Sequence, residues 1–308
     1  MKTTENLIII GSGPAALTAA IYASRSALSP IIIEGQNPGG QLMGTSFVEN
    51  WPGNVKIYGP ELMNNLRQHA TAFGTRFVAG MVTNVHFEKN MHTLTLHNGS
   101  TYTTKALIIA TGATPKRLGC LGEAEYWGRG VTTCAVCDGA FYKDKPVLII
   151  GGGDTALEDA SFMTNYTNDI TIVHILDQLT GSHAMQQRVL NNPAIKIIYS
   201  STVTGFEGDG NHVTHALITD KKTNTTNKHA FSAAFVAIGL QPNTGIFKDK
   251  LELDKYGYII HKEHTQTSVS GVFAAGDVVD YRYRQAITSA GSGCMAALDA
   301  ERYLKSQE

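Results

Sequence analysis

Leu7-Ile-Ile-Ile10, then Gly11-Ser12-Gly13-Pro14-Ala15-Ala16, a helical stretch through Ser26, and Pro30-Ile-Ile-Ile33-Glu34 form the segment that decides the fold. Four apolar residues in a row read as a buried strand, the glycines as a tight turn, and the alanine-rich run as a helix. The second isoleucine run reads as another strand. About 140 residues later the pattern returns as Val147-Leu-Ile-Ile150, Gly151-Gly152-Gly153-Asp154-Thr155-Ala156, a helical stretch, and Ile170-Thr-Ile-Val173-His174. Each copy is a strand–turn–helix–strand unit, so a βαβ unit occurs twice. Ala106-Leu-Ile-Ile-Ala110-Thr111-Gly112 and Phe235-Val-Ala-Ile-Gly239 are a second matched pair, each an apolar strand closing on a glycine.

The repeat implies an α/β protein with two Rossmann-like dinucleotide-binding domains of the three-layer ββα type. Phe77 to His97 and Ile195 to Thr219 are rich in β-branched residues and partly alternate in polarity, and read as small antiparallel β insertions, one in each half. Ala290-Gly-Ser-Gly-Cys-Met-Ala-Ala-Leu-Asp-Ala-Glu-Arg-Tyr-Leu304 reads as a small-residue turn and a terminal helix.

A chain of 308 residues is long enough for two such domains. Twenty-five basic against twenty-six acidic residues leave a net charge of −1, with no basic block. Nothing in that balance suggests a nucleic-acid footprint or an anionic-membrane anchor, and neither partner is expected. The longest apolar runs are strand-sized, and Met1 to Ile10 does not resemble a secretory signal. Four cysteines are too few for a secreted disulfide scaffold, so a cytoplasmic protein is expected.

A Gly-x-Gly-x-x-Gly/Ala turn lets backbone N–H groups approach a pyrophosphate at a helix N-terminus, where the helix dipole favours negative charge. Alone the motif is weak. Here it stands twice between a strand and a helix, and the first copy has Glu34 placed to accept from a ribose hydroxyl. The second copy runs on into His174-Ile175-Leu176-Asp177-Gln178-Leu179-Thr180-Gly181-Ser182, with no arginine before Arg188. A 2′-phosphate would call for guanidinium forks just past this strand. Asp177 reads either as an acceptor for a 2′-hydroxyl or as a turn residue.

Cys134-Ala-Val-Cys137 is followed directly by Asp138-Gly139. Two cysteines at this spacing can close a small disulfide ring that exchanges two electrons. Zinc is a poor reading, because no second Cys/His pair at ligand spacing lies nearby. Asp138 is a candidate acid–base group for the departing thiolate, or a helix N-cap, and the two roles can coexist. Cys120 and Cys294 have no near partner and read as buried, inert thiols. A nicotinamide that gives a hydride, a flavin that accepts it and a disulfide that the flavin reduces make one chemical sequence from these parts.

Over its whole length the chain resembles a low-molecular-weight thioredoxin reductase. The matching stretches are Gly11-Ser-Gly-Pro-Ala15, Gly39-Gly-Gln-Leu42, Glu49-Asn-Trp-Pro-Gly53, Ala110-Thr-Gly-Ala113, Cys134-Ala-Val-Cys-Asp-Gly139, Gly151-Gly-Gly-Asp-Thr-Ala156, Gly276-Asp-Val278 and Arg284-Gln-Ala-Ile-Thr288. The resemblance implies a discontinuous FAD domain (1–114 and 245–308), an inserted nicotinamide-nucleotide domain that carries the dithiol (115–244), and a homodimer. It also implies thioredoxin as the disulfide partner. Carried over position by position, it puts FAD on Ser12, Gly13, Pro14, Ala15, Glu34, Gly40, Gln41, Asn50, Ala110, Thr111, Gly112, Gly276, Asp277, Arg284, Gln285 and Ala286. Gly153, Asp154 and Thr155 would take the nicotinamide nucleotide. Cys137 would sit nearer the flavin, Cys134 would attack the partner disulfide, and Asp138 would be the acid–base group. Phe141-Tyr142, just past the dithiol, reads as a docking surface or as core.

One stretch departs from the family. Relatives carry a pattern like His-Arg-Arg-Asp-x-x-Arg-Ala-Ser, which His174, Asp177 and Ser182 fit, while Ile175, Leu176 and Thr180 replace its three arginines. The donor, NADPH or NADH, is therefore open at this stage. Two other readings keep the same fold. One is a flavoenzyme with a ferredoxin donor or a small-molecule dithiol-oxidase activity; the other is a flavin redox sensor without turnover.

Overall fold

Uninterrupted runs of isoleucine and leucine belong in the middle of a parallel sheet, because both faces of such a sheet are covered. In the computed structural model, which describes residues 4–44, 47–48 and 50–307, these runs are buried on both sides. The side chains of Phe47 and Cys137, and the whole of Glu49, lie outside the described residues. The chain forms two compact units, Met1–Thr114 with Gln241–Glu308, and Pro115–Leu240.

In the first unit, Arg76–Val78, Ile31–Ile33, Thr4–Ile10 and Thr101–Ile109 lie side by side in parallel. Leu7, Ile9 and Ile108 face a layer that contains the helices Pro14–Arg25 and Ala286–Ser306. Ile8, Ile10, Ile31, Ile33 and Leu107 face the other side, with Val85, Leu94, Phe247 and Ile259. This is the period-2 alternation of a strand, with both halves apolar. Thr101–Ile109 joins distant parts of the chain. Its first residues pair with Met91–Leu96, itself paired with Val82–Glu88, while Leu107–Ile109 pairs with Val272–Ala274 from near the C-terminus.

Pro14 stands at the first turn of its helix, where its missing N–H costs nothing. The helix buries Ala15, Ala16, Ala19, Ala20 and Ala23, and Ala286–Ser306 buries Ala290, Gly293, Ala296, Ala297 and Ala300. A Cβ on Gly293 would collide with the Ala15 carbonyl, so the two helices meet backbone to backbone there. This corrects the sequence reading of a small-residue turn at the start of the segment from Ala290. Gln285 and Thr288 form a capping box that starts the helix four residues before Ala290, and the glycines serve close packing.

The second unit repeats the plan with a five-stranded parallel sheet in the order Val131–Thr132, Ala233–Val236, Val147–Ile150, Ile170–Val173 and Ile195–Ile198. Helix Asp154–Met163 covers Val147, Ile149, Ile170 and Ile172. An antiparallel sheet of Ser201–Gly208, Val213–Asp220 and Thr226–Ala230 contributes Val203, Phe206, Val213 and Ile218 to the core on the other face. The two insertions begin later than the sequence suggests, and the second runs on to Ala230. Arg76–Val78 and Ile195–Ile198 are parallel edge strands, and the antiparallel ladders begin at Val82 and Ser201, past Gly80 (φ 145°) and Ser200 (φ 49°). The second unit ends at Leu240 and not at residue 244. Asn243 and Thr244 are bonded within the first unit, to Thr111, Gly112, Thr114 and Gly257. Among the described residues no helix is long and apolar enough to cross a membrane.

Candidate active site

The first glycine turn is shaped by two opposite demands on space. Gly11 holds φ 115°, and a Cβ on it would collide with the Ala110 carbonyl oxygen, so only glycine lets the chain cross between strand ends here. Gly13 is extended, and nothing lies within 4 Å of where its Cβ would be. It faces open space at the N-terminus of helix Pro14–Arg25, where first-turn N–H groups collect. Gly40, at φ 67°, would place a Cβ 3.3 Å from the Gly13 Cα, so a side chain there would crowd the Gly13 backbone.

Ser12 is buried, and its hydroxyl is used inside the protein. It donates to the Glu34 carbonyl oxygen (2.8 Å) and accepts from the Gly39 N–H (3.0 Å). Glu34, 8 % exposed, pairs its carboxylate with both terminal nitrogens of Arg67. The Arg67 guanidinium lies 4.0 Å from the centre of the Phe77 ring. Sequence reasoning missed Arg67, since nothing in the spacing of residues 34 and 67 announces the contact.

The other predicted residues of this unit fall into two groups. Gly276 (φ 78°) starts a short turn in which Asp277 accepts from the Ser289 hydroxyl (3.0 Å). Burial pushes the Asp277 carboxyl above its ordinary value, against that hydroxyl, which holds it down. Arg284 sits in the left-handed region (φ 51°), donates from Nη2 to the Tyr258 hydroxyl (3.3 Å), and has a buried Nε without a partner among the described residues. Asn50 donates to the side chain of Gln285 (3.0 Å), and Ala286 opens the terminal helix. Three side chains or loops point elsewhere. Gln41 donates to the Ala113 carbonyl (2.7 Å), Thr111 to that of Asn243 (2.9 Å), and Gly112 accepts from the Asn243 N–H (2.9 Å).

The second glycine turn keeps the same backbone logic. Gly151 holds φ 137° against the Ala237 carbonyl, and Gly153 is extended at the N-cap of Asp154–Met163. A Cβ on Gly152 would run into the His174 ring. His174 is buried, burial lowers its pKa, and neither ring nitrogen has a partner among the described residues. The residues past the strand fold back onto the turn. Thr180 and Gly181 donate their N–H groups to the Gly152 carbonyl (2.8 and 3.1 Å), and Ser182 donates its N–H to the Asp154 carboxylate (2.6 Å). Thr155 and Asp177 are exposed, and Ile175 and Leu176 are about half exposed at 49 % and 47 %.

Cys134 is disulfide-bonded and half-buried. Cys137 lies in the single turn Ala135–Asp138, its side chain outside the described residues. The Asp138 N–H donates to the Cys134 carbonyl (3.2 Å). Asp138 occupies the N-cap position of the turn Gly139–Tyr142 without a side-chain capping bond, which corrects the expected capping role. Its carboxylate instead accepts from the Thr132 hydroxyl (2.7 Å), which in turn accepts from the Cys134 N–H (3.4 Å). Thr132 lies two residues before the dithiol and was also missed. A Cβ on Gly139 would lie 2.7 Å from the Met163 sulfur, so this glycine packs the dithiol turn on helix Asp154–Met163. The aromatic pair divides, with Phe141 73 % exposed and Tyr142 edge-on to Phe235 at 6.2 Å. Cys120 and Cys294 are free and only partly buried, not fully buried as expected. Burial, with the nearby Glu123 charge, pushes the Cys120 thiol up to about 11, which leaves it unreactive at neutral pH.

The family model for pyridine nucleotide-disulphide oxidoreductases matches residues 5–293. A thioredoxin reductase of Buchnera aphidicola subsp. Schizaphis graminum is 47 % identical over 99 % of both chains. One of Streptomyces clavuligerus is 45 % identical over 99 % of this chain and 95 % of its own length. The crystal structure of Lactococcus lactis thioredoxin reductase superposes with a TM-score of 0.84 at 36 % identity, covering 98 % of this chain and all of that one. Likeness of this extent, running through both glycine turns and the dithiol, places the chain in the pyridine nucleotide-disulphide oxidoreductase family, among its low-molecular-weight thioredoxin reductases.

Proposed function

We propose that this chain is a thioredoxin-disulfide reductase that carries FAD on its first glycine turn and takes electrons from a nicotinamide nucleotide on its second. The observation that carries the reading is the Cys134 disulfide on a short turn whose Asp138 carboxylate is held by Thr132. The open space beside Gly13, at the N-terminus of helix Pro14–Arg25, fits a pyrophosphate, and the orphan Arg284 Nε fits a polar cofactor edge. In this reading Ser12 to Ala15, Gly40, Gln41, Asn50, Ala110 to Gly112, Gly276, Asp277 and Arg284 to Ala286 surround FAD, with Glu34 on its ribose. Gly153, Asp154 and Thr155 take the nicotinamide nucleotide. When bound, the two cofactors supply a hydride and its delivery to a disulfide as an electron pair.

The chain's own chemistry then runs through sulfur. The Cys134 thiolate attacks one sulfur of the partner disulfide; a mixed disulfide forms as the partner bond breaks, and the leaving thiolate takes a proton. Asp138 holds that proton. Cys137 attacks Cys134 and restores the intrachain disulfide, releasing the partner as a dithiol two electrons richer. Phe141, exposed beside the dithiol, offers thioredoxin an apolar contact. A homodimer and a cytoplasmic location belong to the same proposal, and sedimentation equilibrium tests the first.

For the donor, the proposal is an enzyme without strong preference for NADPH over NADH. A 2′-phosphate would meet Ile175, Leu176 and Thr180, and Thr180 has its N–H and hydroxyl on the Gly152 carbonyl. Charge-assisted bonds of about 1.5–3 kcal/mol each are missing. Restoring arginine at positions 175, 176 and 180 together should shift the preference toward NADPH at least tenfold, about 1.4 kcal/mol. Steady-state kcat/KM for both nucleotides in wild type and triple variant measures it. A wild type that favours NADPH a hundredfold would refute this donor assignment. Slow reduction by both with fast reduction by a ferredoxin would favour a different donor.

A further inference from the structure

We infer that Arg67 is a positioning residue for the adenosine end of the first dinucleotide site, holding the Glu34 carboxylate where its free lone pairs meet the ribose hydroxyls. The inference rests on the FAD reading above. The Glu34 backbone is already fixed, because its N–H donates to the Val78 carbonyl (3.1 Å) and its own carbonyl accepts from Ser12 (2.8 Å). Only the side chain is free to choose a rotamer, and at 8 % exposure its charge would be costly without a partner. Arg67 removes that freedom by meeting both carboxylate oxygens with its two terminal nitrogens. The guanidinium is itself held over Phe77, which lies in register with Ile32 on the neighbouring strand. A carboxylate offers about four acceptor sites and a fork uses two, so two remain for a vicinal diol. Lysine supplies the charge without the planar fork and cannot fix both oxygens.

The contrary possibility is that Arg67 competes with the ribose for Glu34. Reconstitution of full-length apoprotein separates the two, with affinity read from flavin fluorescence. The ligands are FAD and an FAD analogue whose adenosine ribose lacks both hydroxyls. Arg67→Met should weaken FAD about tenfold or more and the analogue less than twofold, since the analogue has nothing for Glu34 to hold. Arg67→Lys should fall between wild type and Arg67→Met for FAD. Adding Arg67→Met to Glu34→Gln should weaken FAD no further than Glu34→Gln alone. Equal weakening of both ligands by Arg67→Met would reduce Arg67 to a structural residue and overturn the inference. FAD binding that is unchanged or tighter in Arg67→Met would overturn it as well. A folded wild type that binds neither ligand would overturn the FAD reading, and this inference with it.

Discussion

The Thr132 hydroxyl stands 2.7 Å from the Asp138 carboxylate and restrains its rotation, which in the proposed acid–base role sets the direction of the other oxygen. Thr132→Val keeps the volume and removes the donor. It should slow thioredoxin reduction about fivefold to twentyfold, the worth of ~1–2 kcal/mol, whereas Thr132→Ser should keep most of the rate. Stopped-flow reoxidation of the two-electron-reduced enzyme by thioredoxin measures both. Buried titratable groups set opposing pH limits on stability. Burial lowers the pKa of His92, His174 and His261, so the folded state resists a proton that the unfolded state accepts below about 6.5. Stability is therefore lost as pH falls from about 6.5 through the folded values. Burial, with the Glu158 charge second, pushes the Asp159 carboxyl up to about 7 from an ordinary 3.8. The folded state then keeps a proton that the unfolded state has released, and stability falls as pH rises between these values, by at most ~1.4 kcal/mol per unit. Asp159→Asn should raise the melting temperature more at pH 8 than at pH 5. An equal gain at both values would show that the carboxyl is ionised in the folded protein already at pH 5.

Helix Ala286–Ser306 carries two glycines with opposite surroundings. Gly293 lies against the Ala15 carbonyl, while Gly291 is exposed with nothing within 4 Å of a Cβ. Gly293→Val should cost about 3 kcal/mol or more, because backbone must move, and it should loosen FAD by tilting the glycine turn that precedes Pro14. Gly291→Ala should stabilise by about 0.5–1 kcal/mol through helix propensity alone. Chemical denaturation of the two variants makes the comparison. These glycines also mark what was legible in the sequence. The strands at residues 7–10, 31–33 and 147–150 were plain because β-branched runs between turn residues have one outcome in a packed sheet. The helix start at Ala286 was not, because Gly-Ser-Gly looks like a turn until the opposing alanines of Pro14–Arg25 are in view. The glycine turns and the dithiol were read from local spacing. Arg67 on Glu34 and Asn243 on Thr111 depend on which strands and loops become neighbours, and no local pattern carries that.

At the scale of the molecule, each unit has its own sheet and its own apolar clusters on both faces. Residues 115–240, expressed alone, should fold cooperatively, with dispersed amide resonances and a single melting transition. Residues 1–114 alone should not. Their central strand Thr101–Ile109 would lack Val272–Ala274 along one edge, and the alanine face of Pro14–Arg25 would lose the helix that covers it. Supplying residues 241–308 in trans should restore a folded, flavin-retaining complex, and failure to do so would show that the inserted unit is needed to hold the two segments together. The pairing of Leu107–Ile109 with Val272–Ala274 also has a consequence for biosynthesis. A ribosome delivers the N-terminal segment first, yet its sheet cannot close until nearly all of the chain has left the exit tunnel. The nascent protein therefore spends most of its translation with the isoleucine strands of its first unit uncovered, while the middle unit is free to fold. During that interval those strands are a ready substrate for holdase chaperones, and a ribosome stalled just after residue 240 has cleared the tunnel would present a folded middle and an unfinished beginning.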